Sequence, residues 1–272
     1  MMMDPEIQAV VPPAGGYGSV EVLPLLDFEA IAESAPTWFV GWSDVSILTA
    51  ALTLRTATAT VHGGSVFEAL NIVPPPLADW LTACETESRS VLHRAASNRH
   101  SSNGLPLDEW ADHPAMREVP TDSETAWRVM GGAEGEGEVH VTGRLIGNLM
   151  GMLPGTPFGD VAGFADRYAP EGLLLYLEVV DFDPYEAAHM LHHFRLAGWF
   201  DDANAVLVGR PLAPEADDYT HDQALTDALS TLDIPVVTHV DIGHLVPQLA
   251  IVNGALATLD VTTKESSLVQ QL

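Results

Sequence analysis

"VVPPAGGYGSVEVLPLLD", residues 10–27, decides how the chain is read. A short apolar run closes at Pro12 and Pro13. A turn of small residues and glycines leads to Ser19, and an apolar stretch with helical character follows. Strand, glycine turn, serine and helix is the layout of a nucleophile elbow, in which the serine is presented at a helix N-terminus where free N–H groups favour developing negative charge. The stretch departs from G-x-S-x-G. No lysine follows to make a phosphate loop, and Glu21 stands where G-x-G-x-x-G needs its last glycine. Taken alone, the motif is weak and fits an ordinary turn better than an elbow.

Working outward, "TWFVGWSD" is a strand and turn, with Ser43 or Asp44 able to cap the helix "VSILTAALTLRT", and "TATVHGG" is a strand that stops on glycines. Residues 84–138 are polar, small and glycine-rich, and are expected to be a linker or insertion loop carrying Trp110 and Trp127. From 139 onward, "VHVTGRLIGNL", "GLLLYLEVVD", "ANAVLVGRP" and "IPVVTHV" are strands, while "DPYEAAHMLHHFRLAGWF" and "DQALTDALSTLD" are helices. This alternation implies an α/β fold with parallel strands, in three parts: 1–83, 84–138 and 139–272.

Composition narrows the function. The 272 residues carry a formal net charge of -27 from 38 acids against 11 bases, and Lys264 is the single lysine. Such a field repels nucleic acid and anionic membrane surfaces, so neither is expected as a partner. An acidic, lysine-poor surface is expected of a protein from a salt-rich cytoplasm, where a Debye length of about 3 Å at ~1 M salt removes the self-repulsion. The one cysteine, Cys84, allows no internal disulfide and is read as a packed side chain. "MMMDPEIQ" lacks a basic and an apolar signal region, and no run reaches the ~18 apolar residues of a membrane span, so the expected location is cytoplasmic.

Two further residues could carry chemistry. Glu178 is a carboxylate within the apolar strand "LLLYLE", costly to bury unless partnered, at a strand end where α/β sites gather. His244, in the "DIGHL" turn after a strand, is placed to act as a base oriented by a carboxylate. His189 and His193 are spaced i, i+4, but H-E-x-x-H is absent and no acid completes a ligand set. No metal or cofactor is therefore expected. His62 is read as structural.

Serine, glutamate and histidine in this order, in these contexts, resemble the LD-carboxypeptidase family of serine peptidases, which includes the microcin C immunity peptidases. The resemblance runs through "DPEIQAVVPPAGGYGSVEVLPLLDFEAI", "WFVGWSDVSILTAAL" (close to the family's G-Y-S-D stretch), "VHGG", "VTGRLIGNL", "GTPF", "LLLYLE", "VLVGR" and "IGHLVPQLAIVNGALATLD". It implies a Rossmann-like N-terminal half bearing the serine and a smaller β-rich C-terminal half. On this reading Ser19 is the nucleophile, Glu178 the carboxylate and His244 the base, with the N–H groups of Val20 and Gly16 as the oxyanion hole.

The resemblance also implies a homodimer and a substrate that is either a small peptide or a peptidyl- or aminoacyl-nucleotide conjugate. Trp127, or Trp110, would stack on a base. The classical alternative is trimming of murein tetrapeptides. Members of the family carry a further stretch before the elbow, so a truncated first half is expected. With it comes a second expectation, an inactive relic or binding module.

Overall fold

The computed structural model describes residues 1–66, 71–72, 80–103, 117–130, 137–149 and 151–272. Two sheets organise these residues. The smaller contains β1 (Ala9–Val10), β2 (Trp38–Gly41), β3 (Thr60–His62) and, later in the chain, Ile251–Asn253. The first three are parallel, and Ile251–Asn253 runs antiparallel to β3, pairing Ile251 with His62. The short apolar run before Pro12 contributes only two strand residues, at the sheet's edge.

The larger sheet has eight strands. In chain order these are β4 (Val91–Ala95), β5 (Arg128–Val129), β6 (Val139–Leu149), β7 (Leu173–Glu178), β8 (Ala203–Gly209) and β9 (Val236–Val240), followed by β10 (Leu256–Val261) and β11 (Ser266–Gln271). Across the sheet the order is β4-β11-β10-β6-β7-β8-β9-β5. The central run β6 to β9 is parallel, and the flanking pairs are antiparallel. A mixed α/β architecture with parallel strands is therefore observed. Residues 84–138 are more than a linker: β4 and β5 supply the two edges of this sheet. Both are short and mix apolar with polar residues, so no apolar run marks them in the sequence.

The helix α1 (Ser46–Thr56) explains the join between the sheets. Residues Ser46 to Leu54 are all buried, as expected for a helix whose apolar and small residues run all round it. Its threonines satisfy themselves locally: the Thr49 hydroxyl donates to the Ser46 carbonyl, and the Thr53 hydroxyl bonds to Thr60 in β3. Leu48, Leu52 and Leu54 share one core with Leu173, Leu175 and Leu177 on one face of β7. The opposite face carries Leu174 and Tyr176 and leads to Glu178.

In the second half, α2 (Pro184–Leu196) and α3 (His221–Leu229) each start with a reciprocal capping box, from Asp183 with Glu186 and from Thr220 with Gln223. The expected start of the helix after "VVDF" at Asp183 and Pro184 is thus observed. Gly198 follows α2 at φ 75, the left-handed turn that ends a helix.

Candidate active site

Glu178 is the last residue of β7 and is fully buried. Burial works to raise its pKa, but the charge and hydrogen bonding of His244, followed by the charge of His62, outweigh it and hold the carboxyl below the usual value. His244 lies in the turn after β9. Its Nδ1 is hydrogen-bonded to Glu178 Oε1. Gly243, at φ 102, is what lets the turn come this close: a Cβ there would sit 2.9 Å from both Cγ and Oε1 of Glu178. The structure brings these two expected residues together, 66 positions apart in sequence.

The third partner is not the expected one. His244 Nε2 lies 3.1 Å from Oγ of Ser43. Ser19 is buried, with 8 % of its surface exposed, and its backbone N–H donates to Asp44 Oδ2 at 2.8 Å. That bond ties Ser19 to the residue after Ser43. The true sharp turn follows β2, where Ser43 sits at φ 53, a left-handed conformation uncommon for a residue with a side chain. This is the strand-to-helix geometry of a nucleophile elbow. Gly41 opens the turn, where a Cβ would run into the Val45 side chain. Trp42 stacks on the His244 ring, with centroids 4.2 Å apart and planes at 29°.

The glycine loop nevertheless belongs to the site. A Cβ on Gly15 would lie 2.8 Å from Cβ and 3.0 Å from Oγ of Ser43, so only glycine lets the loop lie against that serine. Gly16, the next residue, is exposed at φ 125. Val20 was expected in the oxyanion hole because it follows Ser19, and Ser19 is not the serine that faces His244. Val20 itself packs against the main core.

Trp127 is not a stacking platform. It is 5 % exposed, packed among residues such as Leu174, Leu207 and Val237, and its indole N–H donates to Asp241 Oδ2 at 3.1 Å. Trp110 lies outside the described residues. Asp241 also accepts from the N–H and hydroxyl of Ser97 and from Arg210 Nη1 at 2.5 Å. Arg210 Nη2 donates to the carbonyls of Leu245 at 2.9 Å and Pro247 at 2.7 Å. Arg210 and Asp241 are both buried and grip the 241–247 turn on either side of His244. Neither was singled out from sequence. An arginine directly after the apolar strand "VLVG" and an aspartate directly after "VTHV" are the signals, since buried charges come in pairs.

Comparison with known proteins shows the family. Residues 1–63 match the LD-carboxypeptidase N-terminal domain and residues 142–259 match the LD-carboxypeptidase C-terminal domain. The chain belongs to the LD-carboxypeptidase family, whose members are serine carboxypeptidases.

Among its relatives is a Bacillus subtilis protein described as a probable murein peptide carboxypeptidase, 26% identical over 97% of this chain and 72% of its own length. Another is the microcin C7 self-immunity protein MccF of Escherichia coli, 24% identical over 100% of this chain and 76% of its own. Solved structures share the fold. MccF in complex with aspartyl sulfamoyl adenosine superposes with a TM-score of 0.73 at 19% identity, over 100% of this chain and 78% of that one. A muramoyltetrapeptide carboxypeptidase from Oxalobacter formigenes gives 0.66 at 20%, over 100% and 80%.

No helix among the described residues is long and apolar enough to cross a membrane.

Proposed function

We propose that this chain is a serine-type amidase that hydrolyses an amide bond in a small peptide or an aminoacyl- or peptidyl-nucleotide conjugate, with Ser43, His244 and Glu178 as its triad. The observation that carries the reading is the unbroken line from Ser43 Oγ through His244 to the buried Glu178 carboxylate. Ser43 Oγ attacks the carbonyl carbon while its proton passes to His244 Nε2. Glu178 Oε1 holds Nδ1–H, fixing the tautomer and stabilising the imidazolium. The oxyanion is received by the N–H of Asp44, in the tight turn Ser43–Val45 just before α1, and by an N–H of the glycine loop at Gly16. His244 then gives the proton to the leaving amine, and water releases the acyl group from Ser43 by the same steps in reverse.

The nucleotide-conjugate reading draws support from the MccF fold neighbours. The alternative, a murein tetrapeptide carboxypeptidase, draws support from the Bacillus subtilis relative. Liquid-chromatographic assay of an aminoacyl sulfamoyl adenosine and of a murein tetrapeptide, both in molar KCl, separates the two. Release of the amino acid from the conjugate is the expected result. Cleavage of the tetrapeptide alone moves the chain to the second reading, and turnover of neither overturns the proposal.

A further inference from the structure

His62, at the end of β3, is a histidine beside the triad whose chemistry the mechanism leaves unused. It is fully buried, and so is Glu178. His62 Nε2 stands 3.9 Å from Glu178 Oε2, the carboxylate oxygen that His244 does not occupy. Neither ring nitrogen of His62 nor Oε2 of Glu178 has a hydrogen-bond partner among the described residues. An unpartnered anionic oxygen away from water is costly, and a ring nitrogen 3.9 Å from it needs to move only about 1 Å to reach hydrogen-bond distance. The backbone holds the ring in place: His62 pairs with Gly41 of β2 on one side and Ile251 on the other, and Gly41 opens the Ser43 turn.

We propose that His62 is a positioning residue of the hydrolytic site, its uncharged imidazole donating Nε2–H to Glu178 Oε2 so that Oε1 stays turned toward His244. The inference rests on the triad reading above. Burial, partly opposed by the Glu178 charge and aided by that of His244, lowers the His62 pKa to about 4, so the ring stays uncharged at neutral pH and carries a single N–H. The titratable groups facing it are Glu178 and Tyr176 from β7 and His244 from the 241–247 turn. The Tyr176 ring meets His62 edge-on at 5.3 Å, and its hydroxyl is committed to Asn253. Its pKa is raised by burial, so it stays neutral and leaves Glu178 to the two histidines.

Histidine-selective 15N NMR on the wild type, His62→Phe and His62→Gln, with kcat and KM measured alongside, tests the assignment. In the wild type His62 should show the neutral Nε2–H tautomer. In His62→Phe the carboxylate loses a donor, so the His244–Glu178 pair should take up a proton at higher pH. The acid limb of kcat/KM should follow, and kcat should fall at least about tenfold with KM within about twofold. His62→Gln, which keeps an N–H, should return both toward wild type.

A titration unmoved in His62→Phe, equal losses in both variants, or an Nδ1–H tautomer in the wild type overturns the proposal. The tautomer is read without any variant, so a misfolded His62→Phe still leaves a decision. The NMR titration needs no substrate. A chain that hydrolyses nothing therefore refutes the amidase reading alone, while the spectra still decide on His62.

Discussion

Ser43→Ala is expected to lower kcat by roughly 10⁴-fold or more while leaving the thermal melt close to that of the wild type, and Ser19→Ala is expected to retain activity. The asymmetry follows from geometry. Removing Oγ from Ser43 deletes the atom 3.1 Å from His244 Nε2 and leaves Glu178 and His244 in place. Ser19 contributes its backbone N–H to Asp44, and alanine keeps that bond. Steady-state kinetics on all three proteins, with a serine-reactive fluorophosphonate as an independent label, reads the difference. Labelling that survives Ser43→Ala and vanishes in Ser19→Ala would restore the nucleophile to the glycine loop.

The second large effect is on stability. Arg210→Leu leaves Asp241 buried without its cation and frees the Leu245 and Pro247 carbonyls that the guanidinium holds. Breaking a buried pair from one side costs about 3–5 kcal/mol. Urea titration in molar KCl should show a loss of that size. The Arg210→Leu/Asp241→Leu double variant should be destabilised by clearly less than the sum of the two single variants, because no charge is then stranded. Additive losses would show that the pair does not act as a unit. Trp127→Phe removes a single indole hydrogen bond to the same carboxylate, so about 1 kcal/mol is expected.

Much of this molecule was legible from its sequence, in particular places. The long apolar runs that became β7, β8 and β9 cannot be exposed, and Asp183-Pro184 announces its helix by capping chemistry. Glu178 was legible because an acid in such a run needs a partner, and His244 because a glycine-histidine turn follows a strand. The serine that faces His244 was not. "GGYGSVEV" and "GWSDVSIL" both place a glycine turn and a serine before a helical stretch. The choice between them depends on which serine faces a histidine 201 positions away. Local pattern carries no such information. The pairing appears only when α1 packs between the sheets and Asp44 ties the first glycine turn to the second. The role given to Trp127 failed for a related reason. Its polar, glycine-rich surroundings suggest an exposed ring, but β5 inserts the segment into the large sheet and closes the core over it.

The left-handed backbone at Ser43 has one more consequence. A side chain in that conformation costs about 1 kcal/mol relative to glycine, the residue that adopts it freely. Selection for heat resistance alone would therefore drift position 43 toward glycine and yield a sturdier, inert molecule. A serine that persists there in thermally selected libraries would mark pressure from chemistry rather than from folding.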